Sequence, residues 1–365
     1  MRIDKVVLHR VCVPLNEPFR ISNGVVSSKE AVIVEAHAGE NAGYGEASPM
    51  AGSFYSTETP ESTWRALTED LVPGLLRRQP GDLDRVADWI DGYGAEPFAR
   101  AGLENAMWDL EARAVGKPLW RLLGGNLWMV PSGVAIGLCD TVDDLIERVR
   151  QYLAGGYLRV KIKIMPGWDI QPLEAIRREW PGVRLMADAN ASYTAADLPL
   201  IRELDRFSLL MIEQPFARDA LELSAEAQRS MRTPICADES ADSQEALERI
   251  IELEAARVIN VKIQRVGGLR AAVRMHDRAA DAGLACWVGT MPELGIASAH
   301  GLHLATLPNF TYPTDIEASE RWYPGDIVQP PITLESNGCI RIPAGNGIGY
   351  EPDFARFAGQ TAEFS

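Results

Sequence analysis

Cysteine is scarce in this chain and never paired. Cys12, Cys139, Cys236, Cys286 and Cys339 are five in number, widely spaced, with no CxxC. That argues against a zinc ribbon or a disulfide framework. No run of about 18 apolar residues occurs, so no segment reads as a membrane span. The opening MRIDKVVLHR has no apolar core of signal-peptide length. The expectation is a cytoplasmic protein with reduced thiols. Positive charge is in deficit, with 36 Lys and Arg against 51 Asp and Glu, a formal net charge of −15. A nucleic-acid or anionic-membrane partner is therefore not expected. A small anionic substrate is compatible with that total, because lysines and a bound metal can reverse the field inside a cleft. Low-complexity segments and strong linkers are also missing.

What is present is the balance of a globular chain, 46% hydrophobic and 24% charged over 365 residues. That length suits a large barrel with a smaller partner domain. Residues 1–50 alternate in strand fashion, and VVLHRVCVPL and EAVIVEAHA look like paired antiparallel strands. The polar stretch PFRISNGVVSSKE, residues 18–30, reads as a loop or lid. From about Ser62 to Leu123 the pattern is helical, with Leu103, Met107, Leu110 and Ala114 at helical spacing and Gly116 and Pro118 as stops. From Pro131 the rhythm becomes strand, helix, strand. The candidate strands are VAIGL, LRVKIKI, VRLMADAN, LLMIEQP, TPICADES, RVINVKI, LACWVG and, near 303–310, HLATLPNF. Repeated βα units with apolar strands predict a parallel sheet covered by helices and closed into a barrel. ITLESNGCIRIPAGNGIGYEPD returns to strand-and-turn texture.

Five ionisable residues mark this rhythm: Lys163, Asp188, Glu213, Asp238 and Lys262, at gaps of 25, 25, 25 and 24 residues. A strand, a helix and two turns need roughly that length, since the crossover alone takes at least about a dozen residues. Each repeat would thus place one charged group at the same end of successive strands, where barrel active sites form. One strand-end acid would more readily be a helix cap. Three at the same phase would repel one another without a cation between them. Their hard oxygens suit Mg²⁺, or Mn²⁺ in its place. Asn190, two residues past Asp188, is a further ligand or donor, and Glu239 a group for a metal-bound water or a salt bridge. Lys161 and Lys163 share a face, and the intervening isoleucines turn that face inward. Buried lysines are costly unless used. The expectation is that each lysine is depressed toward neutrality and can exchange protons near pH 7. Together these groups suit removal of a proton α to a carboxylate, with Mg²⁺ stabilising the enediolate.

KIKIMPGWD, ADANASYT, IEQPF, ADES, NVKIQRVGG and MPELGIASAH, in this order, resemble the enolase superfamily, and the muconate-lactonizing subgroup best. The resemblance spans nearly the whole chain. It implies an α/β fold, a modified (β/α)7β TIM barrel with an α+β capping domain. The boundaries would be a cap over 1–125, the barrel over 126–322, and a tail over 323–365 returning to the cap. It implies Asp188, Glu213 and Asp238 as Mg²⁺ ligands. Lys163 and Lys262 would act on opposite faces of a small carboxylate substrate, with Lys161 beside them. The general base-plus-Mg²⁺ pattern is a known property of that superfamily. Within the subgroup, PFRISNGVVSSKE, GYGEASPM, KIMPGWD and PNFTYPTDIEASERWY are similar to the o-succinylbenzoate synthase / N-succinylamino acid racemase family. That implies syn-dehydration, N-acylamino acid racemisation, or both, and a homo-oligomeric assembly. Arg265 stands where racemising members have it, a supporting group with Asn190 and Glu239. Arg20, Ser22 and Tyr55 on the capping side, and Met291, Glu293 and Asp315 on the barrel side, are the expected substrate contacts.

The relatives usually read GGMLE(T/S)GIGRA after the seventh strand, where this chain has GTMPELGIASA. Thr290, Pro292, Leu294 and Ser298 depart from the pattern, as does Ala135, where a serine is usual. All five are taken as pocket positions. Mandelate-type racemases and acid-sugar dehydratases need a histidine near the seventh strand. His9, His37, His276, His300 and His303 all lie outside LACWVG. Dipeptide epimerases, which use an acid pair like Asp315 and Glu317, and cycloisomerases stay open. A carboxylate-binding protein without turnover is the non-enzymatic alternative, and the paired lysines speak against it.

Overall fold

A computed structural model describes residues 2–21, 24–51, 56–94, 96–356 and 359–365. The chain starts with a long antiparallel hairpin of β1 (Lys5–Ile21) and β2 (Gly24–Ala38), extended by β3 (Asn41–Ala47). Strand alternation sends Val6, Leu8, Val32, Val34 and Ala36 into one core. The helix Pro97–Ala114 covers that face. Glycine makes the close approach possible. A Cβ at Gly45 would lie 2.0 Å from the carbonyl oxygen of Gly102, and one at Gly43 2.3 Å from the amide of Leu110.

The described residues of 18–30, namely 18–21 and 24–30, do not form the loop expected from their polarity. Phe19 pairs with Val26, Arg20 with Val25 and Ile21 with Gly24, so the hairpin runs on through this stretch. A half-exposed hairpin end needs no apolar run, which is why composition misread it.

After the short β4 (Met129–Pro131) come seven parallel strands: β5 (Val134–Ile136), β6 (Val160–Lys163), β7 (Leu185–Asp188), β8 (Ile212–Glu213), β9 (Ile235–Ala237), β10 (Val258–Val261) and β11 (Ala285–Val288). They neighbour one another in chain order, as expected of successive βα units. The intervening helices carry their own start signals. Thr141 accepts from the amide of Asp144 before the helix Val142–Ala154, and Ser243 accepts from that of Ala246 before Gln244–Leu253. Met186, Met211, Cys236, Val258 and Trp287 fill a separate core cluster inside the sheet.

The eighth strand lies later than expected. Residues 295–304 form a helix, Gly295–Leu304, buried along nearly its whole length. The closing segment is 310–315. Phe310 bridges Cys286 and Thr314 bridges Ser132, both in parallel sense. The amide of Asp315 donates to Val288 O at 3.1 Å. The tail then adds β12 (Val328–Gln329), β13 (Cys339–Arg341), β14 (Glu351–Pro352) and β15 (Thr361–Phe364). β13 pairs with β4, and β15 pairs antiparallel with β1. Among the described residues no helix is long and apolar enough to cross a membrane.

Candidate active site

The charged groups stand at the carboxyl ends of the barrel strands because each strand ends on one. Lys163 closes β6, Asp188 β7 and Glu213 β8, and Asp238 and Lys262 directly follow β9 and β10. The register sets Lys163 beside Asp188 and Asp188 beside Glu213. The sheet order therefore places the strands of the three acids between those of the two lysines. All five side chains are buried.

Lys163 Nζ donates to Asp188 Oδ2 at 2.5 Å and to Asn190 Oδ1 at 2.8 Å. Asn190 takes a left-handed backbone, φ 42°, which Asn tolerates better than most residues. Its amide nitrogen donates to Asp188 Oδ1 at 3.0 Å and its Nδ2 to Glu239 Oε1 at 3.2 Å. On the far side Lys262 Nζ donates to Asp238 Oδ2 at 2.9 Å, and Arg265 Nη1 to Asp238 Oδ1 at 2.5 Å. Burial works to raise the Asp238 pKa, but Arg265 and Lys262 hold it far below the usual carboxylate range.

Lys161 bridges the middle. Its ammonium donates to Asp315, reaches Glu213 Oε2 at 3.3 Å and Asp188 Oδ2 at 3.7 Å, and sits 4.8 Å from the Trp287 ring centroid. Burial alone would lower its pKa, yet Asp315, Glu213 and Asp188 push it above the ordinary lysine value. Lys161 is thus a fixed cation, and the expectation of a depressed pKa fails there. Asp188 and Glu213 were expected beside it, but the contact with Asp315 of the closing segment was not, and three acids favour the charged form.

Burial and mutual repulsion hold two of the acids above the usual carboxylate range. Burial, then Asp188, pushes Glu213 up to about 7. Burial, then Asp238 and Asp188, pushes Glu239 up to about 8. Glu239 Oε2 is buried with no hydrogen-bond partner. Among the described residues no three acid, histidine or cysteine groups converge on one point. Lysine ammonium groups stand between the acids instead, on flexible stems. The hard-oxygen donors of Asp188, Glu213 and Asp238, with the orphaned Glu239 oxygen nearby, are of the chemical kind that suits Mg²⁺ or Mn²⁺.

A cavity opens over these groups. Lys161, Lys163, Asp188, Asn190, Lys262 and Asp315 line its charged side, and Phe19, Ile21, Met50, Met291, Pro292 and Trp322 its apolar side. Phe19 packs edge-on to Trp322, with centroids 5.1 Å apart.

Arg20 is a correction. Phe19 and Ile21 point into the cavity, so strand alternation turns Arg20 outward. It pairs with Asp140 and is 48% exposed. Ser22 and Tyr55 lie outside the described residues. Met291 lines the cavity, whereas Glu293 is buried off its lining, pushed up to about 8 by burial and by Glu46. Asp315 lines the cavity but is engaged by Lys161 and by Arg159 Nη2, the latter at 2.7 Å. Ala135, Thr290 and Pro292 line the cavity, whereas Leu294 and Ser298 do not. Leu294 instead precedes the helix Gly295–Leu304.

Phe19, Trp322, Arg159 and Asn260 were missed. Asn260 Nδ2 donates to Glu213 Oε1 at 2.7 Å. The available signal was its place two residues before Lys262, the spacing that relates Lys161 to Lys163.

Residues 3–124 match the model of the mandelate racemase / muconate lactonizing enzyme N-terminal domain, and 144–356 match that of the enolase C-terminal domain-like family. An o-succinylbenzoate synthase of Geobacillus kaustophilus is 41% identical over 97% of this chain and 94% of its own length. An N-succinylamino acid racemase of Amycolatopsis sp is 39% identical over 96% of this chain and 95% of its own. A crystal structure of an enolase superfamily member from Listeria innocua superposes with a TM-score of 0.94. It is 35% identical and covers 100% of this chain and 99% of its own.

Proposed function

This chain belongs to the enolase superfamily, in its mandelate racemase / muconate lactonizing enzyme branch, and from that premise we propose that it is an enzyme that removes the proton α to a carboxylate. Its reaction is syn-dehydration to o-succinylbenzoate, racemisation of N-succinylamino acids, or both, the activities named for its relatives. One observation carries this reading. Lys163 and Lys262, from strands separated by those of the three acids, face one cavity, each bound to a strand-end carboxylate.

When bound, Mg²⁺ would supply the positive charge that stabilises electron density on the substrate carboxylate. Asp188, Glu213 and Asp238 would hold it. Lys163 Nζ takes the proton from one face of the α-carbon. In dehydration it returns that proton to the departing hydroxyl, and Lys262 stays a cation facing the enediolate. In racemisation Lys262 delivers a proton to the opposite face. Lys161, held charged by its acids, provides a fixed positive group beside the substrate carboxylate. The apolar wall from Phe19 to Trp322 keeps water from the reacting carbon.

The test is an assay of the purified protein with Mg²⁺ on the succinyl-hydroxycyclohexadiene carboxylate precursor and on N-succinyl amino acids. Solvent deuterium entry at the α-carbon is followed alongside. Turnover of at least one substrate, abolished by chelator, is expected. Lys163→Ala should lose roughly 10²–10⁴-fold or more. No exchange with any carboxylate tried would favour the binding-protein reading.

A further inference from the structure

Asn260 lies fully buried on β10. Two residues separate it from Lys262, so both face the barrel interior. An amide buried there costs free energy unless its polar atoms are used. Its Nδ2 donates to Glu213 Oε1 at 2.7 Å, while Lys161 Nζ approaches Oε2 at 3.3 Å. β10 and β6 each lie two strands from β8 in the sheet. The Glu213 carboxylate is therefore gripped at both oxygens, by a neutral donor from one side and a cation from the other. The backbone carbonyl of Asn260 accepts from Arg265 Nη2 at 2.8 Å, and Arg265 Nη1 holds Asp238. The side chain thus holds Glu213, while the link to Asp238 runs through the backbone and is kept in any variant at this position.

The surroundings are cut to fit this side chain. A Cβ at Gly289 would come within 2.1 Å of Asn260 Oδ1 and 2.5 Å of Nδ2. Oδ1 has no hydrogen-bond partner among the described residues. A core-filling role would be served better by leucine, which buries no unpaired oxygen.

We infer that Asn260 is a positioning residue that fixes the orientation of the Glu213 carboxylate and so sets the affinity of the site for a divalent cation. This rests on the cation site proposed above. The test measures Mn²⁺ binding by calorimetry and the thermal midpoint of the metal-free protein. Parent, Asn260→Leu, and the double variant Asn260→Ala with Gly289→Ala are compared. The double variant refills the space without restoring the donor. Affinity about 10–100-fold weaker in both variants, the usual cost of losing such a partner, is expected. Affinity within twofold of the parent in either variant would overturn the inference. If Asn260→Leu fails to fold, the repacked double variant decides. A parent that binds no Mn²⁺ would defeat the cation site itself, and the inference with it.

Discussion

Lys163 and Lys262 are anchored by different partners, and the difference separates their roles in experiment. Lys163 shares Asp188 with the backbone amide of Asn190 and, at 3.7 Å, with the Lys161 ammonium, whereas Lys262 shares Asp238 with a guanidinium. Arginine at position 262 would keep a cation beside Asp238 but cannot release a proton at neutral pH. Lys262→Arg should lower racemisation by roughly 10³-fold, within the usual range for a proton-transfer group. Deuterium should still wash into the substrate enantiomer whose α-proton faces Lys163. Racemisation at the parental rate in that variant would refute the role given to Lys262. The lysines and acids were legible because a charge inside an apolar strand is conspicuous and a strand's period fixes its face. Asn260 was not, because a neutral amide breaks no charge pattern. The inward turn of Phe19 and Ile21, against the expectation for Arg20, depends on the phase of a strand that polarity had disguised.

The helix Gly295–Leu304 has no side-chain cap of its own, because the residue before it is Leu294. Glu46 of β3 serves instead, from the capping domain. It accepts from the amides of Leu294 at 2.9 Å and Ala297 at 2.8 Å, and from Ser48 Oγ at 2.7 Å. Lys29 beside it donates to the carbonyls of Ser48 and Pro49 at 2.7 and 2.8 Å. Strand and helix are thereby stapled together. Removing one partner of a buried charged network costs about 3–5 kcal/mol, and Glu46→Ala should lose that much in urea unfolding. Glu46→Gln, which keeps an acceptor, should lose about 1–3 kcal/mol. Both variants within about 0.5 kcal/mol of the parent, the usual range for surface changes, would sink the staple. The end of this helix is also where element reading failed, because the closing strand was expected to begin near 303. AHGLHLATLPNF is apolar on every side because the helix is buried all round, and a short apolar run does not distinguish that from a buried strand. The first seven barrel strands were legible because their 25-residue rhythm recurs, whereas the closing segment forms only isolated bridges.

Across the whole molecule, burial leaves a set of acids outside the cavity's charged cluster holding protons near neutrality. Burial pushes Glu58, at the start of the helix Pro97–Ala114, up to about 8, and Glu104, on that helix, up to about 7. An acid with a raised folded pKa stabilises the protein most below its unfolded value, and that contribution is lost as pH rises through the folded value. His300 and His303, lowered to about 4 by burial, act oppositely, so their contribution grows up to the ordinary histidine range near 6.5. Lys29, lowered to about 8 by burial, adds stability only above that pH. Between about pH 6.5, where unperturbed histidine titrates, and the Glu58 value the acids act alone. The metal-free protein should therefore lose stability across that window, by up to about 1.4 kcal/mol per pH unit for each acid still titrating. Glu58→Gln carries no proton to release and should flatten the decline, most clearly at its upper end. Urea unfolding in chelator at half-unit steps of pH measures both slopes. A flat parent profile, or one that Glu58→Gln leaves unchanged, would mean that these acids titrate alike in the folded and unfolded chains.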